Sequence, residues 1–166
     1  QLHCSVLITG NTDDGGYWVL HRDAVVGGEG HIVGRHGPDA RHFVAEDCGL
    51  REGGTMSYGI AHGGGLTSVD ARGYFMAASH VGHDCHVGND VIFATSATLG
   101  GHCEIGSFVF MGGLTAVPQF TRTGPPGMVG GTCRVRGDII TFGLANREDG
   151  SLEGLSAIGG RHRKVT

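Results

Sequence analysis

From Val81 to Ile140 the chain reads in sixes: VGHDCH (81–86), VGNDVI (87–92), FATSAT (93–98), LGGHCE (99–104), IGSFVF (105–110), MGGLTA (111–116), VPQFTR (117–122), TGPPGM (123–128), VGGTCR (129–134) and VRGDII (135–140). The first place is aliphatic, aromatic or Met in nine of the ten units, with Thr123 the exception. The second is Gly or Ala except at Pro118 and Arg136. The fifth is small or β-branched, from Cys85 and Val91 through to Cys133 and Ile139. A short period sustained this long marks a repeat architecture. A helix is excluded because the period is not 3.6 and Gly recurs throughout. The period predicts an all-β fold, the left-handed parallel β-helix, in which each six-residue unit is one side of a triangular coil. First-place side chains are expected inside, fifth-place side chains at the corners, and second-place Gly at the tight turns.

Composition fits that reading. The chain has 166 residues, 33 of them Gly, and is 39% hydrophobic, which suits a solenoid with a thin apolar centre. A formal net charge of -4 gives no nucleic-acid footprint. No apolar run approaches the roughly 20 residues of a membrane span, and no signal peptide is visible. The chain starts at Gln1 rather than Met, which suggests a fragment or a processed chain. The five cysteines, Cys4, Cys48, Cys85, Cys103 and Cys133, show no paired spacing and read as reduced core residues. A reducing, cytoplasmic location is the expectation.

The phase extends in both directions. Val69–Tyr74 and Phe75–His80 add two units, and Val44, Leu50 and Met56 open three more. Residues 62–68 break phase and read as a loop pushed out from a corner; residues 28–43 read as a second. Near the front Leu2, Ile8, Leu20 and Val26 hold the phase, with Asp14 in an inward place. The reading is one β-helix domain over 1–143. Residues 144–166 form an extension, irregular in sequence and read as the start of a helical domain.

Eighteen residues per coil make positions eighteen apart vertical neighbours, spaced like strands at roughly 4.8 Å. His83, Gly101 and Gln119 then form one column, and Asp84, His102 and Phe120 the next. His80 lies one corner away. A His beside an orienting carboxylate is the minimum for a general base. Gly101, with no side chain, can offer its N–H to a developing oxyanion. These parts suit acyl transfer to a hydroxyl, while histidines that only solvate the faces are the plain alternative. A metal reading also exists: His80, His83, His86 and His102 resemble the histidine supply of γ-class carbonic anhydrases, where three His around zinc activate water. His80 and His86 stand in a different hexapeptide place from His83, so no metal or other cofactor is expected.

One further resemblance is specific. His62–Thr67, His80–Cys85, Ala97–His102, Gly112–Phe120, Met128–Gly131 and Ser151–Leu155 together resemble the acyl-carrier-protein-dependent UDP-N-acetylglucosamine O-acyltransferases of lipid A synthesis, in that family's order and spacing. The resemblance implies a homotrimer. It would move a 3-hydroxyacyl chain from acyl carrier protein to the sugar 3-hydroxyl of UDP-N-acetylglucosamine. It implies His83 as general base, Asp84 as its orienter and Gly101 as oxyanion donor. His80, His102, Gln119 and Glu153 become substrate contacts, and Gly131 a residue that sets acyl length. The chain departs from the family pattern at Pro118, Ile32, Gly34, Tyr58 and Ser151. Coils before Gln1 and a C-terminal helical domain are also part of that pattern. Another amino-sugar acceptor, or a β-helix that only trimerises, are the remaining alternatives.

Overall fold

The first-place residues do end inside. Val44, Leu50, Met56, Val69, Phe75, Val81, Val87, Phe93, Leu99, Ile105, Met111, Val117 and Val129 are all buried. Each Val, Leu, Phe or Met so buried contributes roughly 1.5–3 kcal/mol. The Phe75 and Phe93 rings meet inside the prism at 4.9 Å, tilted by 59°. The computed structural model describes residues 41–60 and 63–145 in full, and the backbone of Leu7–Ile8, Thr12–Asp14, Val19–Leu20, Val25–Gly28 and Leu152–Leu155.

Short parallel strands form three faces. Leu7–Ile8, Val25–Gly28, Thr55–Ser57, His80–Val81, Thr98–Leu99 and Ala116–Val117 make the first. Thr12–Asp14, Arg41–Val44, Leu66–Val69, His86–Val87, Glu104–Ile105 and Arg122–Thr123 make the second. The third runs from Val19–Leu20 through Gly49–Leu50, Tyr74–Phe75, Ile92–Phe93, Phe110–Met111 and Met128–Val129 to Gly143–Ala145, with Leu152–Leu155 beyond it. The chain visits the faces in that order, coil after coil. This is the left-handed parallel β-helix that the period predicts. His80 pairs with Thr98, and Thr98 with Ala116, so one coil is eighteen residues. At the front, Ile8 pairs with Val26, Asp14 with Val44 and Leu20 with Leu50, which keeps these positions in phase. Leu2 lies outside the described residues.

The turn chemistry differs from the expectation. Among the described residues twelve non-Gly ones have positive φ, including Asp84, Asp90, Ser96, His102, Phe108, Leu114, Phe120 and Thr132. All eight stand in the fourth place, so that place turns the corner. An L-residue there costs roughly 1–2 kcal/mol. The N–H of the fourth place is bonded to the coil before: His102 N donates to His83 O at 2.9 Å, and Phe120 N to Gly101 O at 3.1 Å. The second-place Gly has another task. A Cβ on Gly82 would lie 2.7 Å from Gly100 C, and one on Gly100 would lie 2.8 Å from Gln119 N. Glycine stands there because the next coil's backbone approaches too closely for a side chain.

Two interruptions appear in the register. Val25 pairs with Thr55, thirty residues on, so twelve residues beyond one coil are inserted there. The excursion read at 28–43 falls on this interval, and residues 29–40 lie outside the described ones. Thr55 pairs with His80, twenty-five residues on, so seven more are inserted between Ser57 and Leu66. The excursion read at 62–68 therefore ends sooner, because Leu66–Val69 is already a strand against Arg41–Val44. There the phase had been restored by residues whose small side chains hid it.

The end of the prism also differs. Thr123 pairs with Ile139 and Val129 with Ala145, sixteen residues apart, so the last coil is two residues short. Ile139 is thus a first-place residue rather than a fifth-place one. The parallel face continues through Ala145, past the boundary read at 143. Leu152–Leu155 pairs antiparallel with Gly143–Ala145, so these residues of the extension form strand where the start of a helical domain was expected. The two-residue deletion conceals the period from a reading in sixes.

Candidate active site

The corner between the first and second faces gathers most of the predicted site. His83 follows the strand His80–Val81, and Asp84 takes the positive-φ place at φ 54°. Both are nearly enclosed, at 8% and 4% exposure. His83 Nδ1 lies 2.8 Å from Asp84 Oδ2. An ionised carboxylate only accepts, so Nδ1 carries the proton and Nε2 keeps its lone pair.

Asp84 is held from several sides. Ile60 N donates to both its carboxylate oxygens at 3.1 and 3.0 Å, and Gly65 N donates to Oδ1 at 3.0 Å. Its own N–H donates to the buried Thr67 Oγ1 at 2.8 Å. The inserted excursion thus closes over the corner and fixes the carboxylate that fixes the histidine. The sequence reading gave Ile60, Gly65 and Thr67 no site role, although Gly65 and Thr67 fall in the His62–Thr67 block of the resemblance. A backbone N–H carries no side-chain signal, so the run of Gly and the resemblance marked the loop without marking its bonds to Asp84.

Gly101 sits one coil above His83. A Cβ there would collide with the His83 ring, closest at Nε2. The lack of a side chain therefore makes room for the imidazole. The Gly101 N–H makes no hydrogen bond among the described residues. His102 meets His83 edge-on at 4.8 Å and stacks flat on Phe120 at 4.7 Å and 4°. Phe120 is 68% exposed and Gln119, in the His83 column, is exposed as well. A cleft of about 220 Å³ opens beside them, lined by Gly63, Asp84, His86, His102, Glu104, Phe120 and Arg122.

The remaining candidates lie elsewhere. His80 is on the first face, with Nδ1 2.7 Å from Thr55 Oγ1. Gly131 is at the corner between the third and first faces, in the column of Gly113. Glu153 belongs to Leu152–Leu155, where only the backbone is described. Among the departures from the family pattern, Tyr58 is buried with its ring edge-on to His42 at 6.4 Å. Ile32, Gly34 and Ser151 lie outside the described residues, as does His62.

The four histidines of the metal reading do not all meet at one corner. His80 is on the first face, and His86 on the second, bonded to Ser68 Oγ at 2.8 Å. His83, Asp84 and His102 place one donor atom each within 4.8 Å. However, the Asp84 oxygens already accept from Ile60, Gly65 and His83. His83 and Asp84 are a hydrogen-bonded pair, with the His102 ring edge-on against His83.

A prism of hexapeptide coils with a buried His–Asp pair at one corner sets the class, and by its fold and its relatives the chain belongs to the hexapeptide-repeat acyltransferases. Within that class its relatives are the acyl-[acyl-carrier-protein]–UDP-N-acetylglucosamine O-acyltransferases. It is 42% identical to the one from Rhizobium etli over 159 residues, covering 96% of this chain and 58% of that protein. It is 44% identical to that of Paracoccus denitrificans over 114 residues, covering 69% of this chain and 44% of that protein. The chain therefore spans somewhat more than half the length of the curated relatives it matches most broadly. Among solved structures it resembles the UDP-N-acetylglucosamine acyltransferase of Bacteroides fragilis, with TM-score 0.90 and 25% identity over 99% of this chain and 64% of that one. It also resembles that of Campylobacter jejuni, with TM-score 0.76 and 27% identity over 98% and 78%. No family model matches the chain.

Proposed function

We propose that this chain carries the catalytic prism of an O-acyltransferase that moves a 3-hydroxyacyl chain from acyl carrier protein to the 3-hydroxyl of UDP-N-acetylglucosamine. The observation that carries the reading is the buried His83–Asp84 pair with Nε2 beside Gly101. His83 Nε2 takes the proton of the sugar hydroxyl as its oxygen attacks the thioester carbonyl. The Gly101 N–H receives the developing oxyanion. The C–O bond forms, the C–S bond breaks, and His83 returns the proton to the leaving thiolate. Asp84 orients the imidazole and stabilises it while it is charged. An acyl carrier protein donor and a UDP-N-acetylglucosamine acceptor are the substrates in the curated relatives' names.

His80, His102 and Gln119 contact the sugar nucleotide, and Glu153 meets its nucleotide from beyond the coils. Gly131 sets acyl length. It stands at another corner of the prism from His83, so an acyl groove running past both needs a neighbouring chain. That separation supports a homotrimer with shared sites. No helix among the described residues is long and apolar enough to cross a membrane. The cysteines Cys48, Cys85 and Cys103 are free and buried, which supports work in the reducing cytoplasm.

His83→Ala is expected to lower turnover roughly 100-fold or more, with circular dichroism and oligomeric state unchanged. A product assay with 3-hydroxyacyl carrier protein and UDP-N-acetylglucosamine, run beside one with acetyl-CoA, measures it. Equal turnover in the variant removes His83 from the mechanism. No product from either donor in wild type would leave a prism without this activity.

A further inference from the structure

Each interior corner of the prism holds some buried hydrogen-bond donors at the fifth place, such as Cys48 at the second corner and Ser79 and Thr115 at the third. The corner behind His83 is lined by hydrogen-bond donors at the fifth place: Thr67, Cys85, Cys103 and Thr121, all buried. On the same coils as Cys85, Cys103 and Thr121 the next corner has Val91, Val109 and Gly127 in those places, with Cys48 on an earlier coil. Polar groups inside a solenoid are costly unless bonded, so the first corner's donors need partners. Cys85 Sγ donates to Gly100 O at 3.1 Å, one coil up. Cys103 Sγ donates to Pro118 O at 3.2 Å, and Thr121 Oγ1 donates to the same oxygen at 2.9 Å.

The Gly100 carbonyl and the Gly101 N–H belong to one peptide unit. That peptide is trans, since the cis bond among the described residues is Pro125–Pro126. In a trans peptide the C=O and N–H point in opposite directions. A carbonyl drawn toward an interior thiol therefore turns its N–H away from the interior.

We infer that Cys85 is a positioning residue, which through the Gly100 carbonyl aims the Gly101 amide outward at the site and fixes its plane. A hydrogen bond to the carbonyl also polarises the peptide, which strengthens its N–H as a donor. The neighbouring Cys103 sulfur and burial hold the Cys85 thiol far above its usual range, so it stays protonated. Its single proton goes to the carbonyl, a better acceptor than a thiol sulfur. Val at this place, as in Val91 and Val109, would fill the corner and leave the Gly100–Gly101 peptide unheld. The inference rests on the acyltransferase reading for its consequence in turnover, but not for its geometry.

The test uses the full chain in four forms: wild type, Cys85→Ala, Cys85→Ser and Val91→Ala. Val91→Ala controls for lost interior volume at a corner place without a donor. Cys85→Ala is expected to lower kcat about tenfold with KM unchanged, as a misaimed oxyanion donor would. Cys85→Ser, which keeps a donor, is expected within about twofold of wild type. Val91→Ala should lose thermal stability without a selective fall in kcat. The second readout is the 15N and 1H shift of the Gly101 amide by NMR. It should move in Cys85→Ala, return toward wild type in Cys85→Ser, and stay put in Val91→Ala. An unmoved Gly101 amide in Cys85→Ala overturns the positioning role whatever the turnover. So do equal losses of kcat in Cys85→Ala and Val91→Ala. If Cys85→Ala fails to fold, a Cys85→Val variant takes its place under the same criteria. A shifted amide in a chain whose wild type makes no product supports the orientation and overturns the acyltransferase reading alone.

Discussion

At Gly101 the missing side chain is a requirement of space, because a Cβ would enter the His83 ring. Gly101→Ala is therefore expected to displace the imidazole from Asp84. Turnover should fall to near the level of His83→Ala, with a melting temperature close to wild type. An active Gly101→Ala enzyme would show that the ring tolerates the methyl group. His42 shows the opposite use of a ring. It is fully buried, its two nitrogens find no partner among the described residues, and burial lowers its pKa to about 4. The unfolded chain takes up the proton near 6.5, whereas the folded chain resists it until about 4. Stability is thus full above pH 6.5 and is lost as pH falls toward 4, by about 3 kcal/mol at most from this group. His42→Leu should reduce the loss of melting temperature between pH 7 and pH 4.5. An identical loss in the variant would place the acid sensitivity elsewhere.

The coil, as an element, separates two kinds of glycine. Second-place Gly82 faces the Gly100 backbone at 2.7 Å, while third-place Gly113 would bring a Cβ only to 3.3 Å from Thr95 O. Gly82→Ala is expected to destabilise by about 1–3 kcal/mol, since two coils must part. Gly113→Ala should be much milder. Thermal denaturation of both variants checks the ranking, and equal melting points would contradict it. The excursion before Leu66 is the other element that matters. It is the one insertion described at its docking point, and its amides land on Asp84. The loop is therefore part of the site rather than a decoration of the prism.

Across the whole molecule, the proposed ruler and the proposed base sit at different corners. Gly131 is exposed, and a Cβ there would meet Gly113 O at an ordinary 3.4 Å. Nothing inside one prism demands glycine at 131, which favours a role in the groove outside it. Each further buried methylene of the acyl chain contributes about 0.8 kcal/mol. Wild type should then favour chains several carbons longer by orders of magnitude in kcat/KM until the groove ends. Gly131→Met should shift the preference to shorter donors without loss of stability. A competition among hydroxyacyl donors of different length reads this directly, and one unchanged length profile in both proteins would remove Gly131 as the ruler.

The sequence by itself determined the prism, the inward set from Val44 to Val129, and the columns that bring His83, Gly101 and Gln119 together. It could do so because a six-residue period encodes inside and outside locally, and constant coil length converts sequence distance into height. The adjacency of His83 and Asp84 was legible directly, because they are consecutive residues. Tertiary structure decided what the period does not carry. It assigned the turn to the fourth place, because close coil approach claims glycine for the second. It found the phase again at Ile139 after a coil two residues short. It set Ile60 and Gly65 on Asp84, and turned Cys85 toward Gly100. These are hydrogen bonds made by backbone groups or by thiols that look like core residues, and their partners are chosen by how coils stack rather than by residue type.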